Sequence, residues 1–81
     1  MNRVFKKVKM YSTPTCVYCV TLKKFLEERG IPYEEVDVAA SESAAKEMVK
    51  KSGQMGVPVV EIEGQIIIGF DRDKISEILG L

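Results

Sequence analysis

The stretch Tyr-Ser-Thr-Pro-Thr-Cys-Val-Tyr-Cys-Val, Tyr11 to Val20, decides how this chain is read. It carries the only two cysteines, Cys16 and Cys19, three positions apart. An apolar alternating run precedes it and a run of helical periodicity follows. A helix that starts near Cys16 places that sulfur among unpaired backbone N–H groups, at the positive end of the helix dipole, where negative charge is favoured. The first thiol is then expected to be partly thiolate near neutral pH. Cys19, one turn further on, is close enough to close a disulfide on the first sulfur and more shielded from solvent. A thiolate beside a built-in second thiol is a reversible two-electron switch.

The rest of the composition narrows the classes. Eighty-one residues, read here as one domain over 1–81, leave room for only a modest core. With 46% hydrophobic and 30% charged residues the chain is an ordinary soluble globular sequence. Twelve Lys+Arg balance twelve Asp+Glu, so nothing calls for nucleic acid or an anionic membrane as a partner. Lys6, Lys7 and Lys9 read as a solvated edge. No apolar stretch approaches the roughly 20 residues of a membrane span, and no secretory h-region precedes Lys6 and Lys7. A cytoplasmic location follows as the expectation, and there a permanent structural disulfide is disfavoured. Two such cysteines are catalytic, metal-binding or inert. The absence of histidine removes the usual general base and metal ligand together. Any thiol activation must come from backbone dipoles and lysines.

Along the chain, Val4–Tyr11 reads as the first strand by its alternation, and Ser12–Thr15 with Pro14 as a loop of turn residues. From Val17 the apolar positions become helical, with Leu22, Phe25 and Leu26 on one side and Lys23, Lys24, Glu27 and Glu28 on the other. Lys23 and Lys24 read as solvated. Gly30 and Pro32 end this helix. Tyr33–Val38 is a second strand, and its Glu34, Glu35 and Asp37 point to an edge. Ser41 caps a second helix whose apolar stripe is Ala45, Met48 and Val49, with Gly53 as its stop. Pro58–Ile62 and Ile66–Ile68 flank Glu63-Gly64-Gln65 as an antiparallel hairpin. Asp71 or Asp73 caps a last helix that turns Ile75, Ile78 and Leu79 inward. The order β-α-β-α-β-β-α predicts an α/β fold: a four-stranded mixed sheet flanked by three helices, its first two strands parallel.

Three motifs at these separations, C-V-Y-C, G-V-P-V-V and I-G-F-x-x-D, resemble the glutaredoxin-like and NrdH-redoxin-like members of the thioredoxin fold superfamily. The resemblance runs from Val4 to Leu79. It implies a thiol–disulfide oxidoreductase in which Cys16 is the attacking nucleophile and Cys19 the resolving thiol. It implies that Pro58 is a cis-proline opposite the cysteines, so that the Val57 backbone can pair with an extended substrate. It also places Val17, Tyr18, Gly69, Phe70 and Asp71 at the substrate, with Met55 near the rim. No metal or organic cofactor is bound; the redox group is the Cys16–Cys19 disulfide, with glutathione as a possible co-substrate. Disulfide-containing proteins, ribonucleotide reductase among the candidates, are the implied partners of a monomer. Thioredoxin reductase or glutathione is the implied reductant.

The chain departs from glutaredoxins at positions that glutathione uses. Typical glutaredoxins show C-P-Y-C, a lysine three residues before the first cysteine, T-V-P and G-G-C-D-D. Here Val17 stands for the proline, Thr13 for the lysine and Val57 for the threonine. Phe70 stands for the second glycine and Arg72 for the first aspartate of the final pair. These departures, with C-V-x-C, P-V-V and G-F-x-x-D, match the NrdH-type pattern and favour the thioredoxin-reductase branch. Two other classes stand beside this reading: a non-catalytic redox-sensing or adaptor module, and a glutathione-bridged iron–sulfur carrier. A zinc site would need four ligands, and one C-x-x-C without histidine supplies two.

Overall fold

The computed structural model describes residues 7–80. Seven elements follow in the expected order: β1 (Val8–Ser12), α1 (Val17–Glu28), β2 (Glu34–Asp37), α2 (Glu42–Ser52), β3 (Val59–Ile62), β4 (Gln65–Ile68) and α3 (Arg72–Leu79). The strands form one mixed sheet in the order β2-β1-β3-β4. β1 runs parallel to β2, with Tyr11 beside Val36, and antiparallel to β3, with Tyr11 beside Val59. β2 lies at an edge, as its acidic residues indicated. The expected first strand began at Val4, and residues 4–6 lie outside the described residues. At its other end β1 runs one residue further than expected. Ser12 pairs with Asp37 and is buried instead of opening the loop. Its hydroxyl donates to Glu35 Oε2 at 2.9 Å, which lets a polar side chain close the strand in the interior.

Local chemistry ends each helix where the residues permit. Gly30 N donates to Glu27 O at 3.1 Å and Ile31 N to Leu26 O at 2.9 Å after α1, the paired bonds of a Schellman motif, with Gly30 at φ 67°. Ser41 Oγ accepts from Ala44 N at 3.2 Å to cap α2. Asp71, not Asp73, caps α3, accepting from Lys74 N at 3.1 Å. The hairpin turn is tighter than expected. Only Glu63 and Gly64 lie between the strands, both with positive φ (50° and 83°), as a two-residue turn of right-handed twist requires. Gln65 therefore belongs to β4.

Alternation along the strands builds two layers. On one face Val8, Met10, Val60, Ile62 and Ile67 meet Leu22, Phe25 and Leu26 of α1 and Ile75 of α3. On the other, Tyr11 and Val59 meet Met48 of α2. Cutting a fully buried leucine such as Leu22 to alanine costs about 2–5 kcal/mol, a large share of the roughly 5–15 kcal/mol that holds a domain folded.

A polar network fastens α2 to the sheet. The Tyr11 side chain is fully buried, and its hydroxyl, covered by α2 side chains, donates to Glu47 and accepts from Lys51 Nζ at 3.2 Å. Lys9 Nζ pairs with Glu47 at 2.9 Å and Lys51 Nζ with Glu61 at 2.8 Å. Exposed ion pairs contribute little singly, about 0–1 kcal/mol, so the buried ring sets the position and the charges orient it. The hydrogen bond from Tyr11, then that from Lys9, hold the Glu47 carboxyl down at about 2, against an ordinary 4.5. A carboxylate so depressed contributes stability that is fully present above its unfolded pKa and is lost as pH falls through the folded one. Glu47→Gln is therefore expected to melt below the wild type at pH 7. The gap should close between about pH 4.5 and about pH 2. A gap that persists undiminished at the acid end of a series of thermal melts would show that the carboxylate charge is not what α2 uses.

Candidate active site

The site begins where β1 runs out. Thr13, Pro14 and Thr15 turn the chain, and Cys16 N donates to Thr13 O at 3.3 Å. Cys16 is the N-cap of α1, with extended backbone (φ −83°, ψ 113°), and its Sγ accepts the Cys19 N–H at 3.1 Å. The sulfur thus takes a helix-start donor that a serine hydroxyl takes at other N-caps, and such a bond strengthens when the acceptor is ionised. The first turn of α1 holds no acidic residue, whereas Glu42 and Asp73 occupy the first turns of α2 and α3. The positive end of this dipole is left to the sulfur. Cys16 is half-buried and Cys19 only 1% exposed. The two are paired as a disulfide, with Cα atoms 5.2 Å apart, inside the range that such a bond spans.

The sheet register carries two other segments to the same end. Tyr11, Val59 and Ile68 are neighbours across β1, β3 and β4. The loop before Cys16, the Val57–Pro58 step and Gly69 therefore leave the sheet together. The Val57–Pro58 bond is cis, as the resemblance implied. The Pro58 ring is buried and Val57 half-buried, and Pro58 O accepts from Gly69 N at 2.8 Å, joining the second and third motifs. Gly69 sits at φ 79°, a left-handed conformation that a side chain would strain.

The remaining candidate residues divide. Val17 and Tyr18 stand out from the surface, 75% and 67% exposed. Phe70 is half-buried, packed edge-to-face on Phe25 with ring centroids 5.7 Å apart, so part of its surface belongs to the core. Asp71 is exposed, but its carboxylate caps α3. Met55 lines an apolar cavity of about 350 Å³ with Ala45 and Val49 of α2. Sequence reasoning passed over Ser12 and Glu35, and treated Lys23 as free in solvent. Lys23 Nζ in fact pairs with Glu35 Oε1 at 3.3 Å. The available signal was a serine ending an apolar strand beside an acid two residues before the next strand's end. Among the described residues no group of three or more His, Cys, Asp or Glu side chains is placed to hold a metal ion. No helix among them is long and apolar enough to cross a membrane.

The family model described as Glutaredoxin matches residues 8–67. The chain belongs to the glutaredoxin family. Like other glutaredoxins it resembles curated relatives over most of its length. An uncharacterised glutaredoxin-like 8.6 kDa protein in the rubredoxin operon of Clostridium pasteurianum is 40% identical over 72 residues, 89% of this chain and 96% of that protein. Glutaredoxin 3 of Escherichia coli is 34% identical over 64 residues, 79% of this chain and 77% of the relative. Among solved structures, the NrdH-redoxin of Escherichia coli, described as a glutaredoxin-like protein of thioredoxin-like activity profile, superposes with a TM-score of 0.80 at 28% identity. That match covers 89% of this chain and 93% of the other. The fold is the thioredoxin fold, and the chain is a glutaredoxin-like redox protein of the thiol–disulfide oxidoreductase class.

Val17, where many glutaredoxins carry proline, is the first residue of α1. Proline suits that position, and the extended Cys16 backbone is what a residue before proline prefers. Val17→Pro is expected to leave stability unchanged or to raise it by about 0.4–1 kcal/mol in urea unfolding. A loss of more than about 1 kcal/mol would mean that the valine itself serves the fold.

Proposed function

We propose that this glutaredoxin-like protein is a monomeric, single-domain, cytoplasmic dithiol oxidoreductase that reduces disulfides of protein substrates through Cys16 and Cys19. The Cys16 thiolate attacks a target disulfide and forms a mixed disulfide. Cys19 then attacks Cys16, the Cys16–Cys19 bond forms and the reduced target leaves. One observation carries the reading: Cys16, a half-buried residue at a helix start free of acidic residues, accepts at its Sγ the backbone N–H of a buried Cys19. The residue that must meet a substrate is partly exposed and negative charge on its sulfur is favoured; the residue that must wait is sheltered.

In this reading an extended substrate segment pairs with the Val57 backbone, which the cis bond to Pro58 presents. Val17 and Tyr18 supply the apolar rim. Gly69 allows close approach, and the exposed sides of Phe70 and Asp71 flank the segment. Thioredoxin reductase is the proposed reductant, ahead of glutathione, and ribonucleotide reductase is among the proposed targets. Thr13 and Val57 offer no cation and no hydroxyl for a glutathione tail. The Arg72 guanidinium lies 5.5 Å over the Phe25 ring. The thioredoxin-like profile stated for the Escherichia coli NrdH-redoxin points the same way.

The test is turnover of a protein disulfide with two electron supplies in parallel, NADPH with thioredoxin reductase, and NADPH with glutathione reductase and glutathione. Turnover with the first supply is expected; turnover confined to the second would overturn the choice of reductant. Cys16→Ser is expected to abolish turnover with either. Cys19→Ser is expected to accumulate mixed disulfides with targets, visible on non-reducing gels, and full-rate reduction by that variant would refute the two-thiol mechanism.

A further inference from the structure

The chain has three arginines. Arg3 lies outside the described residues, and the other two meet at one ring. Arg29 caps the C-terminal end of α1, and its Cζ lies 4.5 Å from the centroid of the Phe25 ring. Arg72 opens α3, and its Cζ lies 5.5 Å from the same centroid. The ring itself is nearly closed off: Phe25 is 6% exposed, and Phe70 packs on it edge-to-face. A guanidinium held over a ring by cation–π attraction still has five N–H donors to offer. Among the described residues neither guanidinium has a carboxylate partner; the ion pairs there are made by Lys9, Lys23, Lys46 and Lys51. The nearby acids are engaged or turned elsewhere. Asp71 caps α3 and Glu27 accepts the Tyr33 hydroxyl, while Glu28 and Asp73, both exposed, pair with neither arginine. Two like charges at one ring repel, and an anion shared between them relieves that repulsion.

The place of this pair in the fold gives the anion its form. Tyr18, Phe25 and Arg29 are seven and four residues apart, a spacing that sets them along one line of α1. The line begins at Tyr18, which is exposed and stands two residues after Cys16. It ends at Arg29, about 16 Å further on at roughly 1.5 Å per residue. The ring cluster is tied to the reactive end by a second path. Phe70 follows Gly69, whose N–H donates to Pro58 O at 2.8 Å. A polypeptide engaged at Cys16 and passing Tyr18 therefore reaches the two guanidiniums in about five extended residues, at roughly 3.3 Å each.

We infer that Arg29 and Arg72 form a docking site for an acidic segment of the protein substrate, and that the preferred targets carry a run of Asp or Glu about five residues from the disulfide. The inference rests on the disulfide exchange proposed above and names the substrate class that it favours. Carboxylates of the segment accept hydrogen bonds from the two guanidiniums while the disulfide lies at Cys16. Alignment with Tyr18 and Cys16 selects a polypeptide as the occupant, because only a partner that spans the line uses both ends of it. Neither arginine touches the reacting sulfurs. They decide which substrates arrive and how long they stay, and rim charges of this kind act on encounter and on salt dependence.

The probes are synthetic peptides that carry one internal cystine and, about five residues from it, a short run of glutamates or a matching run of glutamines. Each is made with the run on the N-terminal side and on the C-terminal side of the cystine. Reduced wild-type protein is mixed with each peptide and the rate of peptide reduction is read by chromatography. In one polarity the glutamate peptide is expected to react about three- to tenfold faster than its glutamine twin at low ionic strength, as two exposed ion pairs allow. The preference should fade as salt is raised. Arg29→Met with Arg72→Met keeps an apolar cover on Phe25 and should reduce both peptides at the wild-type rate for the glutamine peptide. Equal rates for the two peptides in both polarities, or a preference that survives the double substitution, would overturn the docking site. The first comparison needs no variant, so poor folding of the substituted protein cannot shelter the inference. Wild-type protein that reduces neither peptide would instead overturn the disulfide exchange on which the site depends.

Discussion

β1 is hydrogen-bonded on both sides, parallel to β2 and antiparallel to β3, and the rest of the structure takes its alignment from it. Met10 feeds the layer under α1 and Tyr11 the layer under α2. A slip of one residue would exchange these faces and expose both cores. The same register places the C-terminal end of β1 beside the start of β3 and the end of β4. Three motifs far apart in the chain leave the sheet together for that reason. The site is a by-product of strand pairing: Cys16 stands where it does because Ser12 is the last residue that the sheet can hold.

What distinguishes the start of α1 from the other two helix starts is the acceptor. Ser41 and Asp71 cap α2 and α3 with oxygen, and an acidic residue in each first turn adds to the dipole interaction. α1 is capped by sulfur and has no acid nearby. A cap of ordinary strength contributes about 1 kcal/mol to a helix. Here the same hydrogen bond ties local stability to the charge state of the Cys16 sulfur, so the helix and a thiolate there would favour each other. The hydrogen-bonded N–H belongs to Cys19, so the residue proposed to resolve the mixed disulfide helps to hold the proposed nucleophile.

Two consecutive residues of β1 carry polar tips into opposite layers. Tyr11 sends its hydroxyl to Glu47 and Lys51 on the α2 side, and Ser12 sends its hydroxyl to Glu35, which meets Lys23, on the α1 side. Among the described residues no buried side-chain nitrogen or oxygen lacks a partner, which is the condition for polar groups to persist in so small a core. The Tyr11 group lies between two elements and fastens them. The Ser12 group lines a cavity with Thr13 and Pro14 of the loop that carries Cys16.

The sequence by itself determined the element order, the helix stops at Gly30 and Gly53, the edge character of β2 and the pairing of the two cysteines at the start of α1. Each of these is local chemistry: periodicity of apolar residues, a glycine able to adopt positive φ, a sulfur at a helix start. The motifs around Pro58 and Gly69 were legible as well, because their residue types and separations belong to a family pattern. What only the tertiary structure decided is which side chains meet across strands. Ser12 reads as a turn residue until Glu35, 23 residues further along the chain, supplies its partner. Lys23 reads as solvated until the same carboxylate faces it. Phe70 reads as rim until Phe25 takes part of its surface, and Asp71 and Asp73 are equal as caps until the backbone chooses one. Hydrogen bonds and ring contacts between distant residues depend on register and layer geometry, and no window of a single sequence contains those.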